Sequence, residues 1–149
     1  MEDSGTTAVW RILIAASGVN VTLARHLGLS VSDFSALDHV AQSQESGRPI
    51  GPSELAQHLG MTTASATVLV DRLHKAGHLH RRPHADDRRR VLLEVAGTTR
   101  ARIESHLAPV LDRVDQLTED LTDSERDTVL TYLSRISTAL KSLGSTATP

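Results

Sequence analysis

Seven basic side chains, Arg72, Lys75, Arg81, Arg82, Arg88, Arg89 and Arg90, fall within one nineteen-residue window and meet only Asp86 and Asp87 there. The window 72–90 carries +5, whereas residues 1–71 carry −4 and residues 91–149 carry −3, so a near-neutral chain of net charge −2 hides one basic segment. Clustered cations on an acidic body are the electrostatic footprint of a phosphate-backbone binder, with a solvated charged loop as the plainer interpretation. Histidines 74, 78, 80 and 84 share the window and raise the question of metal chemistry. His74 and His78 are four residues apart, but Gly77 is expected to end a helix between them. His78 and His80 would share a strand face beside Arg81 and Arg82, which repel a divalent cation. A metal-responsive role for these histidines is therefore weaker than phosphate-backbone binding, and neither metal nor cofactor is expected. No HExxH, GxSxG or glycine-rich phosphate loop is present, so no enzymatic activity is expected. The absence of cysteine removes disulfides, thiolate metal sites and thiol redox chemistry.

The elements that must position the basic window are mostly helical. Val9, Ile12, Leu13, Ala16, Val19, Leu23 and Leu27 recur at steps of three and four and predict a long first helix stopped at Gly28. Ser30 caps a second helix with Asp33 three residues on and Phe34, Leu37, Val40 and Ala41 as its buried stripe. Gln42 to Gly51 reads as a loop. Gly51, Pro52 and Glu54 start a short third helix that ends near Leu59-Gly60. Thr62 caps a fourth, with Ala66, Leu69, Val70 and Leu73 inward and Gly77 at its end. Leu79–Arg82 and the alternating Val91, Leu93 and Val95 predict a hairpin with its tip at Pro83–Asp87. A fifth helix carries Ile103 to Leu121 with Pro109 inside it, and Thr122 to Glu125 form a capping box for a sixth. On that last helix Val129, Leu133, Ile136, Leu140 and Leu143 make a coiled-coil-like seam. Trp10 and Phe34, two of only three aromatic residues, are expected in the core. No run approaches 18 apolar residues and the start Met1-Glu2-Asp3 is acidic, so neither a membrane span nor a signal peptide is expected.

Pro52 to Leu79 thus reads as a helix-turn-helix, followed at once by a two-stranded wing. The outward face of the fourth helix carries Thr63, Ala64, Thr67, Val68 and Asp71. Hydroxyls there reach base edges or phosphates, and Ala64 and Val68 suit a thymine methyl. The predicted DNA-binding set is Thr62, Thr63, Ser65, Thr67, Val68 and Arg72 on the helix, with Asp87, Arg88 and Arg89 on the wing. Arginine at a thin wing tip fits the negative potential of a narrow minor groove, and Asp87 is expected to hold Arg89 by an ion pair.

The strings Leu29-Ser30-Val31-Ser32-Asp33-Phe34-Ser35-Ala36-Leu37, Pro52-Ser53-Glu54-Leu55-Ala56, Leu69-Val70-Asp71-Arg72-Leu73 and Asp86-Asp87-Arg88-Arg89-Arg90-Val91-Leu92-Leu93 resemble the MarR family of bacterial transcriptional regulators. The resemblance covers nearly all of residues 7–143. The family's wing pattern is Asp, any residue, Arg, five residues, then Leu-Thr. Asp87 and Arg89 fill the first positions, while Val95-Ala96 replace Leu-Thr, so Thr98 or Thr99 is expected to cap the fifth helix instead. The resemblance implies a mainly α fold with a small β-hairpin wing. It divides into a dimerisation helix (1–28), a winged helix-turn-helix lobe (29–97), dimerisation helices (98–144) and a frayed tail (145–149). It also implies a cytoplasmic homodimer on a pseudo-palindromic double-stranded operator, acting as a repressor. Long helices with wide apolar stripes, which so small a lobe cannot cover, point to a dimer independently. A small-molecule effector pocket beside the first helix is implied as well, and Arg11 and Phe34 are its candidate residues. Arg11 is the only charged residue between Asp3 and Arg25, and its fork suits a carboxylate such as an anionic aromatic. A winged-helix module that binds protein instead of DNA is the remaining alternative, which the +5 window disfavours.

Overall fold

The computed structural model describes residues 4–84, 87 and 90–145, with only the backbone for Lys141 and residues 143–145. Its element order is α1 (Gly5–Leu27), α2 (Val31–Glu45), α3 (Pro52–His58), α4 (Thr63–Lys75), β1 (Leu79–Pro83), β2 (Val91–Val95), α5 (Gly97–Glu119) and α6 (Asp123–Ser145). The expected fold class, mainly α with a β-hairpin wing, is the one observed. The chain divides into two compact units, Met1–His106 and Leu107–Pro149.

Local chemistry explains the helix boundaries of the first unit. Ser4, Ser30 and Thr62 each sit in extended backbone and accept a hydrogen bond from an N–H in the first turn, as N-caps do. Gly28 closes α1 at φ 73°, where its N–H reaches back to Ala24 and Arg25. Helix α2 runs through Glu45 instead of giving way to loop at Gln42. Its polar end is held by partners: Gln42 donates to Asp38 at 2.7 Å, Gln44 accepts the Val95 N–H at 3.0 Å, and Glu45 pairs with Arg100 at 3.0 Å. The core of this unit joins Leu37 and Val40 of α2, Leu55 of α3, Val70 and Leu73 of α4, Leu79 of β1 and Leu93 of β2. Leu23, Ala24 and Leu27 close it from the last turns of α1.

The hairpin is antiparallel, with Leu79 opposite Val95, Arg81 opposite Leu93 and Pro83 opposite Val91. Pro83 is therefore its last rung and not part of the tip. Helix α5 begins at Gly97, ahead of both threonines expected to cap it. Thr99 is instead buried, with its hydroxyl 3.0 Å from Nδ1 of His78. Pro109 lies inside α5, where it has no N–H to offer the preceding turn.

In the second unit Thr122 and Glu125 form the expected capping box. The Glu125 carboxylate accepts the Thr122 N–H at 2.9 Å, and Thr122 Oγ1 accepts the Glu125 N–H at 3.4 Å. Val129, Leu133 and Leu140 of the expected seam are exposed in the chain, and the Leu143 side chain lies outside the described residues. Trp10, expected in the core, is 63% exposed. Helix α1 is also long and apolar enough to cross a membrane by length and composition, with a window of mean hydropathy 1.4. This differs from the expectation of no such segment, because Arg11, Ser17 and Asn20 interrupt any unbroken apolar run without making the helix polar.

Candidate nucleic-acid interface

The turn Leu59–Thr62 sets α4 against α3. Gly60 takes φ 62°, a left-handed conformation that a side chain disfavours. Thr62 then caps α4, its hydroxyl accepting the Ser65 N–H at 3.2 Å and lying 2.9 Å from Ser65 Oγ. Ala66, Leu69, Val70 and Leu73 are buried, which turns Thr63, Ala64, Thr67, Val68 and Asp71 outward. Val68 is 61% exposed, and Thr67 donates to the Thr63 carbonyl at 2.8 Å. The helix thus presents small hydroxyl and methyl groups on a rigid, capped scaffold.

The wing is tied to this lobe from both sides. The Leu93 N–H donates to the Ile50 carbonyl at 2.8 Å, so the segment before α3 lies alongside β2. Gly51 permits that approach: a Cβ there would stand 2.6 Å from the Val91 carbonyl oxygen. Glu54 works in two directions, with Oε2 accepting the Gly51 N–H at 2.9 Å and Oε1 accepting from Arg90 at 2.9 Å. Burial raises the Glu54 carboxyl, but the backbone N–H groups of Gly51 and of Glu54 itself, together with Arg90, outweigh it and leave it below the ordinary glutamate value.

The basic window is less bare than its sequence suggests. Arg81 pairs with Asp71 at 2.7 Å, Arg82 with Glu94 at 2.6 Å, Arg90 with Glu54 and Arg72 with Asp33. Each acid lies outside the window, so counting charge along the chain overstates the local field. Arg72, expected on DNA, forks onto the buried Asp33, whose hydrogen bonds and charge raise it above the ordinary arginine value. Asp87 is exposed, and its carbonyl accepts the Arg90 N–H at 2.9 Å. Arg88 and Arg89, and hence the expected Asp87–Arg89 pair, lie outside the described residues.

The histidines do other work. His78 is enclosed against Thr99, and burial followed by the charge of Arg102 pushes it below the ordinary histidine value. His80 is exposed on the rung opposite Glu94, and His74 Nδ1 lies 2.8 Å from the Leu79 carbonyl. Outside the window, the rings of His39 and His58 stack 3.2 Å apart between α2 and α3. Among the described residues, no three His, Asp or Glu side chains gather as a metal site. Of the two effector candidates, Arg11 is exposed on α1 and Phe34 is in the core.

Residues 27–90, which span α2, the helix-turn-helix and most of the wing, match the MarR family. The chain is also 30% identical over 112 residues to the uncharacterized HTH-type transcriptional regulator YcgE of Bacillus subtilis (strain 168), covering 75% of this chain and 70% of that protein. The chain belongs to the MarR family. Within that family it is similar to the HTH-type transcriptional repressor YetL of the same organism, at 30% identity over 100 residues, 67% of this chain and 59% of YetL. The fold is also that of the S. aureus MepR–DNA complex, with a TM-score of 0.55 at 14% identity over 90% of this chain and 98% of MepR. These relatives are transcriptional regulators and not enzymes, and this MarR-family chain is likewise a regulator.

Proposed function

We propose that this regulator is a cytoplasmic homodimer that binds a pseudo-palindromic double-stranded operator and represses transcription. The observation that carries the reading is the solvent-facing surface of α4. Thr63, Thr67 and Val68 are exposed on a capped helix whose opposite face is fully buried, beside a hairpin wing. A helix so fixed enters a major groove with its N-terminal residues, Thr62, Thr63 and Ser65, nearest the bases. Arg88 and Arg89 are assigned to the minor groove on sequence, with Asp87 to hold Arg89 in place. Residues 29–97 form the DNA-binding lobe in this reading, while 1–28 and 98–144 dimerise. Repression is the mode in YetL's name, and MepR's fold is seen with DNA bound.

Selection of genomic fragments on the purified chain tests this reading. The expected product is an inverted repeat with half-sites about one helical turn, ~34 Å, apart. Its affinity should fall linearly on logarithmic axes with salt. Recovery of no common sequence, or salt-independent binding, overturns the reading. For the effector, Arg11 on α1 is the proposed anchor for a small carboxylate, and no ion pair holds it among the described residues. Phe34 is enclosed and would only back the site. Operator release by an aromatic acid should need a higher concentration in Arg11→Ala. Equal release in both proteins removes Arg11 from that role.

A further inference from the structure

Arg72 stands on the flank of α4, one turn beyond Val68, between the buried stripe and the exposed face. Its partner Asp33 is in the first turn of α2, 6% exposed, with its own N–H bonded to Ser30 Oγ at 3.0 Å. A carboxylate at that position is favoured by the helix dipole and has little freedom to move. Arg72 gives it two hydrogen bonds, Nε to Oδ2 at 3.1 Å and Nη2 to Oδ1 at 2.5 Å. Yet the Arg72 side chain remains 56% exposed, against 8% for Asp33. The guanidinium is a planar fork of five N–H donors, and Asp33 occupies only its Nε–Nη2 edge. Nη1 and the outer hydrogen of Nη2 are left, and no other acceptor for them stands among the described residues.

We propose that Asp33 is a positioning residue for operator binding, holding Arg72 so that its free Nη1–Nη2 edge meets a DNA backbone phosphate at the rim of the groove entered by α4. The inference rests on the DNA-binding reading above. Two acceptors on two edges of one guanidinium suit the geometry of Arg, which grips carboxylate and phosphate alike in pairs of parallel bonds. Asp33 thereby fixes α4 relative to α2 and removes the rotamer freedom that an exposed arginine would otherwise lose on binding.

The sign of one substitution separates positioning from bulk electrostatics. Asp33→Asn deletes a negative charge close to DNA, so charge alone predicts tighter binding. Positioning predicts weaker binding, by several-fold, and a logarithmic salt slope shallower by about one phosphate contact. The full-length protein is titrated with the operator selected by the wild type, across a salt series, alongside Asp33→Glu, Arg72→Lys and the Asp33→Asn/Arg72→Lys double variant. Asp33→Glu should recover part of the affinity that Asp33→Asn loses. In the Arg72→Lys background, Asp33→Asn should cost little more, because the fork is already gone. Affinity at or above wild type in Asp33→Asn overturns the proposal, as does an unchanged salt slope. If Asp33→Asn does not fold, Arg72→Lys carries the test: it keeps the charge without the fork, and wild-type affinity there overturns the proposal. A wild-type chain that binds no DNA removes the DNA-binding reading itself, a result distinct from any of these.

Discussion

Gly51 shows how one missing Cβ can hold two elements together. Its φ of −99° is open to any residue, so glycine is needed there for space and not for backbone conformation. The Val91 carbonyl stands where a methyl group would go, and it is backbone that cannot rotate aside. Gly51→Ala should therefore destabilise the lobe by ~1–3 kcal/mol, as overpacking does. Thermal unfolding of the variant checks this, and an unchanged midpoint would show that the strand shifts freely. His78 makes a different prediction, about pH. Its folded-state value lies below the ordinary 6.5 because burial, aided by Arg102, disfavours the cation. In that case the unfolded chain takes up a proton first on acidification. Stability is then full above 6.5 and falls as pH drops below it, levelling once the folded histidine also protonates. His39, lowered by burial and by His58, adds to the same trend. His78→Asn, which can still bond Thr99, should flatten part of the loss measured by urea unfolding between about pH 8 and pH 5. An identical pH slope in wild type and variant would exclude His78 as the source.

The helices and their capped starts at Ser30, Thr62 and Thr122 were legible in the sequence because their signals are local, whereas the end of α2 and the start of α5 were not. Ser30, Thr62 and the Thr122–Glu125 box each act within three residues, and the α4 stripe of Ala66, Leu69, Val70 and Leu73 repeats at helical spacing. What was not legible depends on partners distant in sequence. Asp33 and Arg72 are 39 residues apart, Glu54 and Arg90 are 36 apart, and neither pair can be assigned before the fold brings the elements together. The same holds for the extra turn of α2, whose Gln44 finds Val95, and for His78, which reads as a strand-surface residue until Thr99 covers it. At this scale the recognition element makes the sharpest prediction. Thr67→Glu adds a bulky anion to the outward face of α4 without touching the buried one. Its folding stability should stay within ~0.5 kcal/mol of wild type, as for other surface changes. Specific operator binding, read by fluorescence anisotropy, should be lost. Wild-type affinity in this variant would mean that α4 does not face DNA, whereas unfolding would mean that the buried face is misassigned.

Over the whole molecule, the apolar surface of α1 sets the strongest demand. A soluble amphipathic helix has one apolar stripe, and one that is apolar all round requires burial all round. On α1, Ile12 and Val19 lie on one side and Trp10, Ile14 and Val21 on another, and all five are exposed within the single chain. Val110, Leu111, Val114 and Leu117 of α5 and Val129, Leu130, Leu133 and Leu140 of α6 are exposed as well. Single exposed apolar residues are ordinary, but an apolar stripe along a helix is the kind of surface that association covers, and each of these three helices carries one. A second copy of the chain brings the same stripes and can cover them by two-fold symmetry, which would also match an inverted-repeat operator. Ile14→Glu/Val21→Glu places two charges on one stripe while leaving the buried residues Leu23, Ala24 and Leu27 intact. Sedimentation velocity should report two chains for wild type and one for the variant, with operator binding lost alongside the partner. Removal of residues 123–149 should likewise leave a monomeric or poorly soluble product. The same hydropathy would let α1 enter a membrane, so the measurement includes lipid vesicles. A wild-type chain that runs as one copy, or that floats with the vesicles, would refute the dimer and leave α1 to a different partner.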